Sequence, residues 1–171
     1  MLRRGGGGRL RRCSLDYNRP NGVPIRVARI FNTYGPRLAA GDRRVVSDFT
    51  VQALKGEDIT IFADGSQTRS FFYVADLIDG FMAMMSSEAS LVGPINLGNP
   101  NEFTILELAD LVLNKINSKS QLVFKALPQD DPSQCEPDIA KVREQFGWSQ
   151  SVEIDEGLEL TIGYLRILLA E

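Results

Sequence analysis

Arg29-Ile30-Phe31-Asn32-Thr33-Tyr34-Gly35-Pro36-Arg37 is the stretch whose reading decides the fold. From Ile25 to Phe31 the chain is β-branched or apolar, interrupted by Arg26 and Arg29. Such a run predicts a buried strand of a parallel sheet rather than a half-exposed hairpin strand, because both faces of a parallel sheet are normally covered. Asn21-Gly22 and Pro24 punctuate its start, and Gly35-Pro36 closes the turn after it.

Working outward, Val46, Phe49, Thr50 and Ala53 sit at helical spacing until Gly56. Ile59–Phe62 predicts a short strand ended by the turn Asp64-Gly65, and Ser70–Val74 another. Asp76 is expected as the N-cap of a helix burying Leu77, Phe81 and Met84. Ile95 and Leu97 mark a strand before Gly98-Asn99-Pro100. Thr104-x-x-Glu107 is a capping-box signature, opening a helix with Ile105, Leu108, Ala109, Val112 and Ile116 on one face. Gln121–Lys125 reads as an edge strand, followed by a loop punctuated by Pro128, Pro132 and Pro137. Two helices follow, one around Ile139–Phe146 and one with Leu158, Ile162, Leu165 and Leu169 on a face. Strands alternating with helices predict an α/β or α+β assembly without repeats. The expected core is Phe49, Phe81, Ile105, Leu108, Val112, Leu158, Ile162 and Leu165. A lone βαβ-type piece leaves faces uncovered, which fits half of a larger protein.

Composition narrows the chemistry. The 171 residues, 43% of them hydrophobic, suffice for one ordinary globular domain. There is no histidine, which excludes Ser-His-Asp and Cys-His catalysis and argues against a transition-metal site. Cys13 and Cys135 are far apart, in no metal or redox spacing, and read as free thiols of a reducing compartment. The net charge of −3 hides an asymmetry: residues 1–12 hold five arginines and no acid, so the remainder carries −8. An acidic body does not suggest nucleic-acid binding. Residues 1–13, with four successive glycines, are expected to be a disordered Arg/Gly-rich head, and 14–171 the folded unit. No apolar run approaches the roughly 20 residues that span a bilayer, and nothing reads as a signal peptide.

Several blocks follow one another in order: Arg-x-Phe-Asn-x-Tyr-Gly-Pro-Arg at 29–37, Arg44-Val45-Val46-Ser47, Gly65-Ser66-Gln67-Thr68-Arg69-Ser70-Phe71, Asn96-Leu97-Gly98-Asn99-Pro100, Asp130-Asp131-Pro132 and Phe146-Gly147-Trp148. In combination they resemble the C-terminal portion of the UDP-glucuronate decarboxylases, extended short-chain dehydrogenase/reductases acting on nucleotide sugars. The resemblance covers about Asp16 to Arg166. It implies the C-terminal part of an NAD(P)-binding Rossmann-like fold, mainly the substrate-binding lobe, without the N-terminal dinucleotide-binding half. The implied reaction oxidises carbon four of glucuronate with NAD, loses carbon dioxide and reduces the ketone to give UDP-xylose. The implied partners are UDP-glucuronate or UDP-xylose, with a homodimer or association with full-length subunits. Family members occur in the cytosol or anchored in the Golgi lumen; the expectation here is cytoplasmic, with the lumen the alternative for a longer anchored form.

Residue by residue, the resemblance puts Asn32 near the sugar and phosphates, although asparagine is a turn residue in any case. Arg69 is set against the substrate, where a guanidinium suits a pyrophosphate or carboxylate; the alternative is a solvated turn arginine. A proton-donor role for Arg69 is weaker, since arginine stays protonated. Val45, Val46 and Ser47 match the segment lining the uridine pocket, and Arg44 the arginine beside it. Tyr73 is a further substrate-side candidate, and Arg37 a weak cofactor-side one; both could merely fasten the lobe.

Two departures stand out. None of Tyr17, Tyr34, Tyr73 and Tyr164 has a lysine four residues on, so the family's Tyr-x-x-x-Lys pair is missing; its places fall at Arg3 and Gly7. The Gly-rich dinucleotide turn is missing too. Cys135 stands about where a phosphate-meeting arginine is usual, and Glu136 adds the wrong sign. The chain is therefore expected to be an incomplete, inactive piece that retains no NAD. The alternatives are a non-catalytic nucleotide-sugar-binding or subunit-association remnant, and a related epimerase or dehydratase.

Overall fold

A computed structural model describes residues 25–42, 44–87, 94–126 and 136–170. The expected head, Asn21-Gly22, Pro24, Arg43, both cysteines and most of the proline-punctuated loop lie outside these residues. In order the chain forms β1 (Val27–Ile30), β2 (Thr33–Tyr34), α1 (Val45–Lys55), β3 (Ile59–Phe62), β4 (Thr68–Ser70) and β5 (Phe72–Tyr73). Then follow α2 (Val74–Met85), β6 (Pro94–Leu97), β7 (Glu102–Thr104), α3 (Ile105–Ile116), β8 (Leu122–Lys125), α4 (Ala140–Phe146) and α5 (Ile154–Leu168). The strands pair two by two. β1 runs parallel to β6, β2 to β5 and β3 to β8, while β4 and β7 are antiparallel. The mixed α/β class expected from the sequence is what forms.

Two apolar cores result. In the larger, α1, α3 and α5 pack together over β3 through Phe49, Ala53, Ile59, Ile61, Leu108, Val112, Leu158 and Ile162. The smaller gathers Phe72, Met84, Ile95, Leu97, Ile139, Val142 and Trp148. Pleating divides Phe71-Phe72-Tyr73 between them: Phe71 and Tyr73 enter the first core, Phe72 the second. Leu165 is fully buried, and Phe81 is only half-buried against the smaller core.

Three expectations are corrected. The single strand at Ser70–Val74 is two strands with different partners, and Val74 already opens α2. The N-cap of α2 is Tyr73, not Asp76. Asp76 instead sits in the first turn, almost fully buried, accepting from the Ser151 N–H (3.1 Å), the Ser151 hydroxyl (2.7 Å) and the Val152 N–H (3.2 Å). β1 is parallel as expected, yet Arg29 and Ile30 are exposed, because among the described residues it pairs only with β6. The capping box forms as predicted, and Gly56 ends α1 at φ +71°, the left-handed region that glycine enters without strain.

Candidate functional site

The carboxyl end of β1 feeds Asn32 into a junction between strands. Its carbonyl accepts from the Phe72 N–H at 2.8 Å, and its side-chain amide donates to the Ser70 carbonyl at 3.3 Å. Asn32 is thus oriented yet exposed. Beside it, α1 begins after Arg44, whose extended backbone leaves the first-turn N–H groups without a side-chain cap. A helix start of this kind carries partial positive charge. Arg44 pairs with Asp42 (2.7 Å) and donates to the Thr33 carbonyl (3.0 Å), so its side chain bridges the β1–β2 corner and the helix start.

Arg69 comes from β4, opposite Phe103 of β7, and is half-buried with one guanidinium N–H donated to the Thr68 carbonyl at 2.8 Å. Asn32, Arg44, Val45, Val46 and Arg69 all line one cleft of about 850 Å³. Its walls are mixed: Val45, Val46 and Phe49 give an apolar side, and the two arginines, the helix start and Asn32 give donors. Arginine forks and a helix start are groups that hold phosphate oxygens.

The other candidates lie elsewhere. Ser47 is fully buried, its hydroxyl donating to the Arg44 carbonyl at 2.9 Å, so it shapes the helix start and does not line the cleft. Tyr73 packs edge-on against Tyr34, ring centroids 5.6 Å apart, within the core. Burial pushes both phenols above their ordinary pKa, Tyr34 strongly, so both stay neutral in the physiological range. Arg37 is exposed, outside the cleft, at φ +70°. Asn96 donates to the Asp138 carbonyl (2.8 Å) and Asn99 to the Phe71 carbonyl (3.2 Å), both as turn organisers. Glu136 is exposed and outside the cleft, and Cys135 is not among the described residues.

Cleft residues that the sequence reading did not single out include Asp48, Gln52, Phe62 and Gln67. Gln52 accepts from the Thr60 N–H (3.2 Å), and Gln67 donates to the Phe62 carbonyl (2.9 Å). Gln67 was legible in principle, lying two residues before Arg69 at strand spacing. Asp48 was legible too, as the first-turn acid four residues from Arg44.

Among the described residues no Gly-x-Gly-x-x-Gly turn follows a strand. A dinucleotide pyrophosphate needs backbone N–H groups approached closely over open glycines. Here the glycine after β6, Gly98, is already covered: a Cβ there would meet Pro137 at 2.8 Å and Phe31 at 3.1 Å. Gly35, after β2, is likewise filled by Val74. Among the described residues no group of three or more metal-ligating side chains occurs, and no helix is long and apolar enough to cross a membrane.

The sequence model of the NAD dependent epimerase/dehydratase family matches residues 10–98. UDP-glucuronic acid decarboxylase 5 of Arabidopsis thaliana is 50% identical over 155 residues, 91% of this chain and 45% of that protein. UDP-glucuronic acid decarboxylase 1 of Xenopus tropicalis is 47% identical over 150 residues, 88% of this chain and 35% of that one. Among solved structures, UDP-glucose 4-epimerase of Thermotoga maritima with UDP-glucose superposes with a TM-score of 0.88 at 30% identity, over 95% of this chain and 52% of that chain. UDP-glucuronic acid 4-epimerase of Bacillus cereus, in complex with UDP-glucuronic acid and NAD, gives 0.81 at 29% identity, over 90% and 49%. The chain spans less than half the length of these curated relatives.

Proposed function

The chain belongs to the NAD dependent epimerase/dehydratase family, and from that premise we propose that it is the nucleotide-sugar-gripping part of a UDP-glucuronate decarboxylase. The observation that carries this reading is the convergence of Asn32, Arg44, Val45, Val46 and Arg69, from three separated segments, on one cleft. In it the α1 start and the Arg69 fork take the diphosphate, Val45, Val46 and Phe49 flank the uracil ring, and Asn32 meets the sugar side. Identity favours a decarboxylase over an epimerase: 46–50% to the plant decarboxylases against 21–30% to the epimerases of known structure.

Binding does not make catalysis. Reversible oxidation at the sugar needs a proton-exchanging tyrosine with a lysine to lower its pKa, and these 171 residues hold no such pair. In this reading the cofactor side comes from further family sequence, so no redox step is assigned to these residues. The chain alone thus holds UDP-glucuronate or UDP-xylose without turning it over, and activity belongs to an assembly with further family sequence, such as full-length subunits. The reading places it in the cytoplasm, or in the Golgi lumen in a longer anchored form.

Hydrogen exchange of the purified chain with and without UDP tests the site. UDP should slow the amides of residues 44–49 and 67–71. Protection confined to other segments, or carbon dioxide released from UDP-glucuronate and NAD by this chain alone, contradicts the reading.

A further inference from the structure

Behind the cleft, β7 and the start of α3 hold the segment that carries Gln67 and Arg69. The N–H groups at a helix start have no partner within the helix, so each must find one elsewhere. In α3 the Thr104 N–H donates to the Glu107 carboxylate (2.7 Å) and the Glu107 N–H to the Thr104 hydroxyl (3.1 Å). The two donors between them reach out of the helix. Ile105 donates to the Gln67 carbonyl and Leu106 to the Gly65 carbonyl, both at 3.2 Å. The turn from β3 to β4 is thus fastened to a helix whose Leu108 and Val112 are fully buried in the larger core.

The turn itself is fixed at several points. Ala63 and Gly65 both stand in the left-handed region, at φ +55° and +74°. A non-glycine residue there persists only where its surroundings hold it, and such positions cluster at ligand clamps. Asp64 accepts from the Ser66 N–H (3.0 Å) and hydroxyl (2.7 Å), and the Gln67 side-chain amide donates to the Phe62 carbonyl (2.9 Å). The Ala63 N–H donates to the Lys125 carbonyl at 2.8 Å. Gly65 leaves no room: a Cβ there would meet Leu106 Cγ at 2.7 Å and Ile61 Cγ2 at 3.0 Å. Phe62, Gln67 and Arg69 line the cleft on either side of this turn, whereas Gly65 and Leu106 do not. β7 extends the hold, with Phe103 opposite Arg69 and Glu102 accepting from the Thr68 hydroxyl at 2.8 Å.

We propose that Gly65 and Leu106 are positioning residues of the cleft. By locking the β3–β4 turn to the start of α3 they preset Gln67 and Arg69 for a nucleoside diphosphate, and the bound nucleotide in turn tightens the α3 start. The inference rests on the nucleotide-sugar grip proposed above and deepens it. Side chains held ready before binding lose less freedom on binding, so affinity depends on a contact that never touches the ligand. Linkage makes the effect mutual.

The test uses the full 171-residue chain and UDP. In the parent, UDP should slow exchange of the Ile105 and Leu106 amides, resolved by NMR, along with those of residues 44–49. Gly65→Ala should weaken UDP binding at least about fivefold in titration. Gly65→Ala/Leu106→Ala removes the atom that the new Cβ meets first, and should recover most of that loss. Val142→Ala, in the smaller core, lowers stability without touching the turn, and its UDP affinity should stay that of the parent. Protection at 44–49 with Ile105 and Leu106 unchanged overturns the inference and leaves the proposed function standing. So does parent-like binding by Gly65→Ala, a double variant no better than the single one, or an equal loss in Val142→Ala. The parent's exchange decides even where Gly65→Ala does not fold. No UDP binding by the parent overturns the proposed function, and this inference with it.

Discussion

Arg69 is where a functional and a structural role separate most cleanly. It is half-buried on β4 and lines the cleft, with one donor committed to the neighbouring carbonyl. If its fork holds phosphate, Arg69→Ala should weaken UDP binding at least tenfold in titration, in line with roughly 1.5–3 kcal/mol for a hydrogen bond to a charged group. The melting temperature should barely move. Arg69→Lys keeps the charge and loses the fork, so it should bind more weakly than the parent; equal binding would retire the bidentate contact. Asp76 shows the reverse case. Its carboxylate ties the start of α2 to Ser151 and Val152, 75 and 76 positions away, through three donors. Asp76→Asn turns amide hydrogens towards those donors and should cost roughly 1.5–3 kcal/mol in urea unfolding. A change under about 0.5 kcal/mol would mean that the clamp is not formed. Arg69 was singled out through the resemblance its local motif carries, and the structure puts it at the cleft. Asp76 was misread as a cap because nothing in the sequence around it signals a partner at Ser151.

Among the elements, α3 was the most legible, because cap, periodicity and length agree. Thr104 accepts from the Glu107 N–H at 3.1 Å, and Glu107 accepts from the Thr104 N–H at 2.7 Å. Thr104→Ala should cost about 1 kcal/mol. The Thr104 backbone N–H, then its hydroxyl, hold the Glu107 carboxyl below its ordinary pKa of 4.5. Its contribution is therefore complete above about pH 4.5 and is lost as pH falls through the lowered folded value. Glu107→Gln should accordingly be less stable than the parent at neutral pH and converge on it in acid; a gap independent of pH would contradict the pairing. Leu108 is fully buried between α1 and α5, so Leu108→Ala should cost about 2–5 kcal/mol in denaturant unfolding. A loss below roughly 1 kcal/mol would mean that this face is not core. The β-elements were less legible. Periodicity marks apolar runs but not partners, so the break of Ser70–Val74 into two strands, decided by pairing with Glu102–Thr104 and Thr33–Tyr34, was invisible.

At the scale of the whole molecule, the larger core is closed, while among the described residues Ile30 of β1 and Ile78, Met82 and Met85 of α2 are exposed. The sequence announced this through a strand apolar enough to be buried on both faces, while the structure leaves its carboxyl end exposed. The convergence of Asn32, Arg44 and Arg69 was legible only through resemblance, since no local pattern brings residues 32, 44 and 69 together. The displacement of Ser47 and Tyr73 from the cleft follows from packing, which a motif does not encode. The central claim is that this chain carries the nucleotide-sugar grip without the cofactor site. Isothermal titration of the purified chain with UDP, UDP-glucuronate and NAD in parallel tests it most directly. The account predicts saturable heat with UDP and UDP-glucuronate and none with NAD; binding of NAD without binding of UDP would contradict it.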